Sequence, residues 1–177
     1  MYFRKLEKGF YDLKGNGNPK IVTDLMVRVK VREKVINEMS LYDKYDVPSG
    51  ERPEDTAFKH FGSAELHWVV LMTNNITDAY YDWPMSEQNF ETFLQDKYTN
   101  PDAIHHYETT QSSGKTKANG PDDYSYLVEV NSDAAGAQSI SNREYEQRLQ
   151  DEKRQINLLN PSYLNTFIEE FNKLVRN

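Results

Sequence analysis

The chain reads as an α+β protein, with a small strand–helix–helix–strand module, an N-terminal arm before it, and a helix, a β-hairpin and C-terminal helices after it. Three observations predict this. Residues 51–75, ERPEDTAFKHFGSAELHWVVLMTNN, hold two short helical-period apolar stripes separated by Phe61-Gly62-Ser63. AIHHYETT and DYSYLVEV read as two strands joined by the polar loop QSSGKTKANGPD, consistent with a long hairpin. Leu164, Phe167, Ile168, Phe171, Leu174 and Val175 then recur as one amphipathic helical stripe. The expected divisions are an arm at 1–41, the module at 42–84, a helix with the hairpin at 85–131, and a linker with C-terminal helices at 132–177.

The first twenty residues mix aromatics with Lys and Gly and end in GNGNPK, a loop signal, so this arm is expected to have little structure of its own. Val27, Val29 and Val31 alternate with Arg28, Lys30 and Arg32 at the period of a half-buried strand, whereas Val35, Ile36 and Met39 fit a helical period better. In YDKYDV, Tyr45 and Val47 share a face of a short strand. Pro53 suits a first helical turn, with Glu54 and Asp55 at the positive end of the helix dipole. Ala57, Phe58 and Phe61 are its expected buried stripe, and Gly62 its left-handed stop.

Ser63 is placed as the cap of the second helix, with Leu66, Trp68, Val69, Val70 and Met72 facing inward. Asn74-Asn75 end it, and a return strand is expected from Ile76 through TDAYYDWP. Ser86 opens a third helix that runs to about Tyr98. NSDAAGAQSISN reads as a small-residue linker. Ser141 and Glu144 have capping-box spacing for REYEQRLQDEKRQI, a helix charged almost all round. Asn160 and Pro161 start the last helix.

Composition excludes several function classes. Lys and Arg total 21 against 28 Asp and Glu, and a net charge of −7 opposes a nucleic-acid backbone. Without cysteine there are no disulfides, thiolate metal sites or thiol nucleophiles. MYFRKLEKGFYDLKG is too charged for a signal peptide, and no apolar run approaches membrane-spanning length, so neither export nor membrane insertion is expected. Apolar residues are only 37% of the chain while aromatics reach 12%, with 12 tyrosines, a balance that suits a surface covered by protein partners.

Tyr45 to Asn75 resembles a LysM module in its aromatic-x-Val strand, its Gly-containing acidic turn, its Phe-Gly break and its terminal Asn. The wider stretch, with ERPE, FG, LHWVVLM, DAYYDWPMSE and KY in order, resembles the LysM-containing baseplate wedge protein of contractile-tailed (myovirus) bacteriophages. The likeness is strong over about residues 20–100. It implies a non-enzymatic virion protein that is assembled in the host cytoplasm, takes no cofactor, and joins wedges in a sixfold tail baseplate. The implied partners are other baseplate wedge proteins, neighbouring wedges and the sheath initiator, with six copies or a multiple of six.

Protein-interface candidates follow. Tyr80, Tyr81 and Trp83 are three large rings within four residues, too many for so small a module to bury, so at least one should meet a partner. Trp68 is either core or anchor. Phe167, Phe171 and Leu174 mark the C-terminal stripe, which either packs back on the module or docks on another subunit; docking is the favoured expectation because the helix before it is so polar and the linker flexible. The alternative class is a peptidoglycan- or glycan-binding LysM module with its groove along Pro48–Pro53 and Asn74–Asp78, where Glu51, Arg52 and Glu54 crowd the flanks. A hydrolase accessory subunit is a third.

No metal site is expected. His105 and His106, adjacent on a strand, should face opposite ways, and His60 and His67 lie across a helix break. Asp122-Asp123 sit in a turn where side-chain to backbone bonding accounts for them, and GNGN lacks the context of a phosphate loop.

Overall fold

The computed structural model describes residues 5–25, 29–36, 38–115 and 117–175. The elements in chain order are β1 (Lys8–Tyr11), β2 (Lys20–Thr23), α1 (Glu33–Ile36), β3 (Tyr42–Asp46), α2 (Pro53–Phe61), α3 (His67–Thr73), α4 (Glu87–Lys97), β4 (Ile104–Gln111), β5 (Tyr126–Val130), β6 (Gln138–Ser141), α5 (Asn142–Arg154), β7 (Gln155–Leu159) and α6 (Leu164–Val175). Helix and strand are mixed throughout, an α+β fold. They form two compact units: residues 1–84 with 153–177, and residues 85–152.

In the first unit the N-terminal arm is more ordered than its composition predicts. β1 and β2 pair antiparallel, with Phe10 opposite Ile21 and Tyr11 opposite Lys20. The Gly/Asn/Pro cluster is the turn that makes this possible. Asp12 accepts backbone hydrogen bonds from Gly17 at 2.7 Å and Lys14 at 3.2 Å, and Gly15 and Gly17 take positive φ. Of the alternating Val/basic run, Val27 and Arg28 lie outside the described residues. From Val29 to Arg32 the chain is not a strand and leads into α1.

Helix α2 begins as the sequence indicates, with Pro53 in its first turn and the Asp55 carboxylate accepting from the Arg52 backbone N–H at 3.2 Å. It ends at Gly62, whose φ of 74° is left-handed. Its buried face differs from the expected one: Thr56 and Ala57 point inward, Phe61 is partly covered, and Phe58 is 62% exposed. Ser63 holds the expected cap position, but its side chain makes no capping bond, and a 3-10 turn at Ala64–Leu66 leads into α3. The residues expected inside α3 are covered, with Trp68, Val69 and Val70 fully buried.

The return strand expected after Ile76 is absent. Residues 76–83 form turns, and the partner of β3 is β7, which pairs antiparallel from Tyr42 opposite Leu159 to Asp46 opposite Gln155. The Asn74 side chain ties the helix end to the outer edge of this strand. Its Nδ2 donates to the Asn157 carbonyl at 2.8 Å, and its Oδ1 accepts from the Asn157 N–H at 2.8 Å, as a neighbouring strand would.

Two apolar clusters surround this frame. One gathers Leu6, Tyr42, Trp68, Val69, Leu159, Phe171 and Val175, and the other gathers Val47, Ala57, Val70, Trp83, Ile156 and Leu158. Helix α6 therefore packs within its own chain, where its stripe meets Trp68. The ring centroids of Trp68 and Phe171 are 4.8 Å apart, and those of Trp68 and Phe167 are 6.2 Å apart. Docking of this stripe on another subunit is corrected accordingly. An intramolecular partner covers it because Trp68 supplies a large flat surface next to the strand that precedes α6.

In the second unit α4 starts at Ser86, whose Oγ accepts from the Asn89 N–H at 3.3 Å, and it buries Phe90 and Leu94. The expected hairpin is present as β4 and β5. The stretch read as a linker supplies a further strand, giving the order β5-β4-β6. The capping box of α5 closes with Ser141 N–H to Glu144 Oε2 at 2.8 Å and Glu144 N–H to Ser141 Oγ at 3.2 Å. What this helix buries is polar. Glu146 accepts from Lys97 at 2.6 Å and from the Tyr98 hydroxyl at 2.7 Å.

Candidate protein interface

The segment after α3 is built to hold two rings outward. Asp78 and Asp82 brace it from both ends. The Asp82 carboxylate accepts from the Asp78 N–H at 3.1 Å, the Asp82 N–H donates to the Asp78 carbonyl at 2.8 Å, and Asp78 Oδ1 accepts from the Tyr80 N–H at 2.8 Å. The Lys153 ammonium donates to the Tyr81 carbonyl at 2.8 Å. Tyr80 and Tyr81 are 80% and 65% exposed and meet edge to face at 5.0 Å, so the pair is ordered before any partner arrives.

Trp83 anchors the far end. Its ring lies in the second apolar cluster, and its Nε1 donates to the Glu51 carbonyl at 2.8 Å. The Glu51 carboxylate, itself buried, accepts from Tyr45 at 2.9 Å, from Thr56 at 2.7 Å and from Lys59. Burial pushes this carboxyl up, but the bonds from Lys59, Thr56 and Tyr45 outweigh it and hold Glu51 below the usual range. Burial together with Glu51 raises the Tyr45 phenol. In the sequence Glu51 stands as a charged flank of a groove, whereas in the fold it is a latch between β3 and α2. The signal that could have found it is the placement of Thr56 and Lys59 three apart on one helical face.

The structure separates the remaining candidates. Trp68 and Phe171 are buried within the first unit and Phe167 is partly covered there, so with Trp83 these rings are core rather than free anchors. Leu174 is 56% exposed, and Phe58, not among the expected candidates, is exposed as well. His105 and His106 do not face apart. A register shift between Ile104 and His106 brings their Nδ1 atoms to 2.8 Å, and His105 stacks on Tyr145 with centroids 4.1 Å apart. Among the described residues no group of three or more His, Asp or Glu could hold a metal ion, and no helix is long and apolar enough to cross a membrane.

Residues 11–113 match the family described as base plate wedge protein 53, and these include β3, α2, α3 and the Tyr80–Trp83 segment. The chain belongs to the base plate wedge protein 53 family. It is also 36% identical over 56 residues to the baseplate wedge protein gp53 of Enterobacteria phage T4; that match takes in 32% of this chain and 29% of the relative. Membership in the base plate wedge protein 53 family makes the chain a structural component of the virion tail baseplate. Strand β7 and helix α6, which complete the first unit, lie beyond the matched residues.

Proposed function

We propose that this protein is a non-enzymatic wedge component that links neighbouring subunits of a sixfold baseplate through heterologous protein contacts, with Tyr80 and Tyr81 as a principal anchor. The observation that carries this reading is the braced, outward-facing ring pair. Tyrosine offers a large contact area with few rotatable bonds, and a preformed loop loses little freedom on binding. Exposed Leu174 is a second candidate contact. Other wedge proteins, neighbouring wedges and the sheath initiator are the partners this role calls for, with six copies or a multiple of six in the assembly.

The test is co-purification with candidate wedge subunits, comparing the wild type with Tyr80→Ala/Tyr81→Ala and set beside a pull-down on insoluble cell wall. Subunit capture that drops at least about tenfold in the double variant supports the proposal, since an aromatic hot spot contributes about 2 kcal/mol or more. Capture by cell wall with no subunit partner overturns it in favour of a glycan-binding module along Pro48–Pro53 and Asn74–Asp78.

A further inference from the structure

The β1–β2 ribbon and the β5 edge have complementary charge and the same unfinished hydrogen bonding. Among the described residues the ribbon consists of two strands alone, so each has an open edge, and such a hairpin is marginal in water without added contacts. It exposes apolar side chains on both faces: Phe10 and Ile21 lie opposite each other, 77% and 65% exposed, and Tyr11 and Val22 are also exposed. Residues 8–23 carry Lys8, Lys14 and Lys20 against Asp12 alone, a net charge of +2 in a chain of −7. These three lysines make no ion pair among the described residues.

The opposite balance lies in the second unit. Residues 85–152 hold thirteen Asp and Glu against five Lys and Arg, a net charge of −8, so the rest of the chain is +1. Among the described residues strand β5 is at the edge of its sheet and pairs only with β4. Tyr126 and Leu127 are exposed on it. From Asp122 to Asp133 the charges are Asp122, Asp123, Glu129 and Asp133 with no Lys or Arg, and none of the four is in an ion pair among the described residues. An open edge with exposed apolar side chains is a template for another strand.

We propose that β2 of one copy pairs with the open edge of β5 in a second copy. Lys20 and its neighbouring lysines then meet Asp122, Asp123 and Glu129, and Ile21 and Val22 cover Tyr126 and Leu127. Strand β2 is the pairing strand because Ile21, Val22 and Thr23 are β-branched, while β1 is interrupted by Gly9. The ribbon and the β5 edge are different patches, so the contact runs head to tail and each copy keeps one of each free for the next. It uses residues other than Tyr80 and Tyr81, and it can fail while the wedge contacts of those rings stand.

The experiment is sedimentation of the purified full chain over a concentration series at low and high salt. Reversible self-association that weakens with salt is expected. Lys8→Glu/Lys20→Glu should weaken it at least about tenfold, Asp122→Lys/Glu129→Lys should do the same, and all four changes in one chain should restore it. Circular dichroism checks that each variant keeps its fold, and slower hydrogen exchange of the β5 amides in the associated species locates the contact. A monomer at every concentration and salt, association that ignores the reversals, or failure of the combined variant to recover would each overturn the proposal.

Discussion

Helix α3 hides Trp68, Val69 and Val70, whereas α5 hides Glu146 and Gln150. The first unit is thus closed by apolar surface around β3 and β7. The second adds to Phe90 and Leu94 a set of charge-assisted bonds: Lys97 to Glu146, Arg143 to Glu91 at 2.6 Å, and Arg148 to buried Glu108 at 2.9 Å. Apolar contact is lost when volume is removed and ignores pH. A network of ionised groups tolerates volume change better and fails when one charge is neutralised.

Truncation tests the apolar side of this contrast most severely. Deleting residues 160–177 removes Phe171 and Val175 from the cluster around Trp68, and the first unit should lose cooperative unfolding by calorimetry. Trp68→Ala is milder, expected to cost about 3–5 kcal/mol in denaturant unfolding. On the polar side, Lys97→Met leaves Glu146 with only the Tyr98 hydroxyl, and a loss of about 2 kcal/mol is expected.

Acid sharpens the same contrast. The Arg148 guanidinium, against the opposing effect of burial, holds the Glu108 carboxyl below its ordinary value of 4.5; Arg143 does so for Glu91, and bonds from Ser141 do so for Glu144. A depressed carboxyl contributes its stability above the unfolded-state value and loses it as pH falls through the lower folded value. The second unit has these three and Asp123, and the first has Glu51 and Asp12, so hydrogen exchange below about pH 4.5 should report loosening of residues 85–152 first. The smallest effect is expected for Phe58→Ser, a change within about 0.5 kcal/mol, because the ring already stands in water.

What the sequence disclosed follows the same division. Pro53, Gly62, Asn74, Ser86, the Ser141/Glu144 pair and Asn160 signal their turns through local backbone chemistry, and each marks a real helix end. The strand partner of β3 was not legible, because QINLL is short and follows a polar helix, and nothing local says which distant strand it will meet. The β6 strand was masked by small residues, and the β1–β2 ribbon by the glycines that form its turn. Of the interface candidates, Tyr80 and Tyr81 were separable from Trp83 only once the indole bond to the Glu51 carbonyl was visible.

The pairing of Tyr42 with Leu159 also sets a timetable for the nascent chain. Strand β3 and helices α2 and α3 leave the ribosome long before the strand that completes their sheet, with the whole of residues 85–152 synthesised in between. At roughly 5–20 residues per second that interval is on the order of ten seconds. During it Trp68 and Val69 have no Leu159, Phe171 or Val175 to cover them, so the half-made protein is at its stickiest while its acidic middle is emerging.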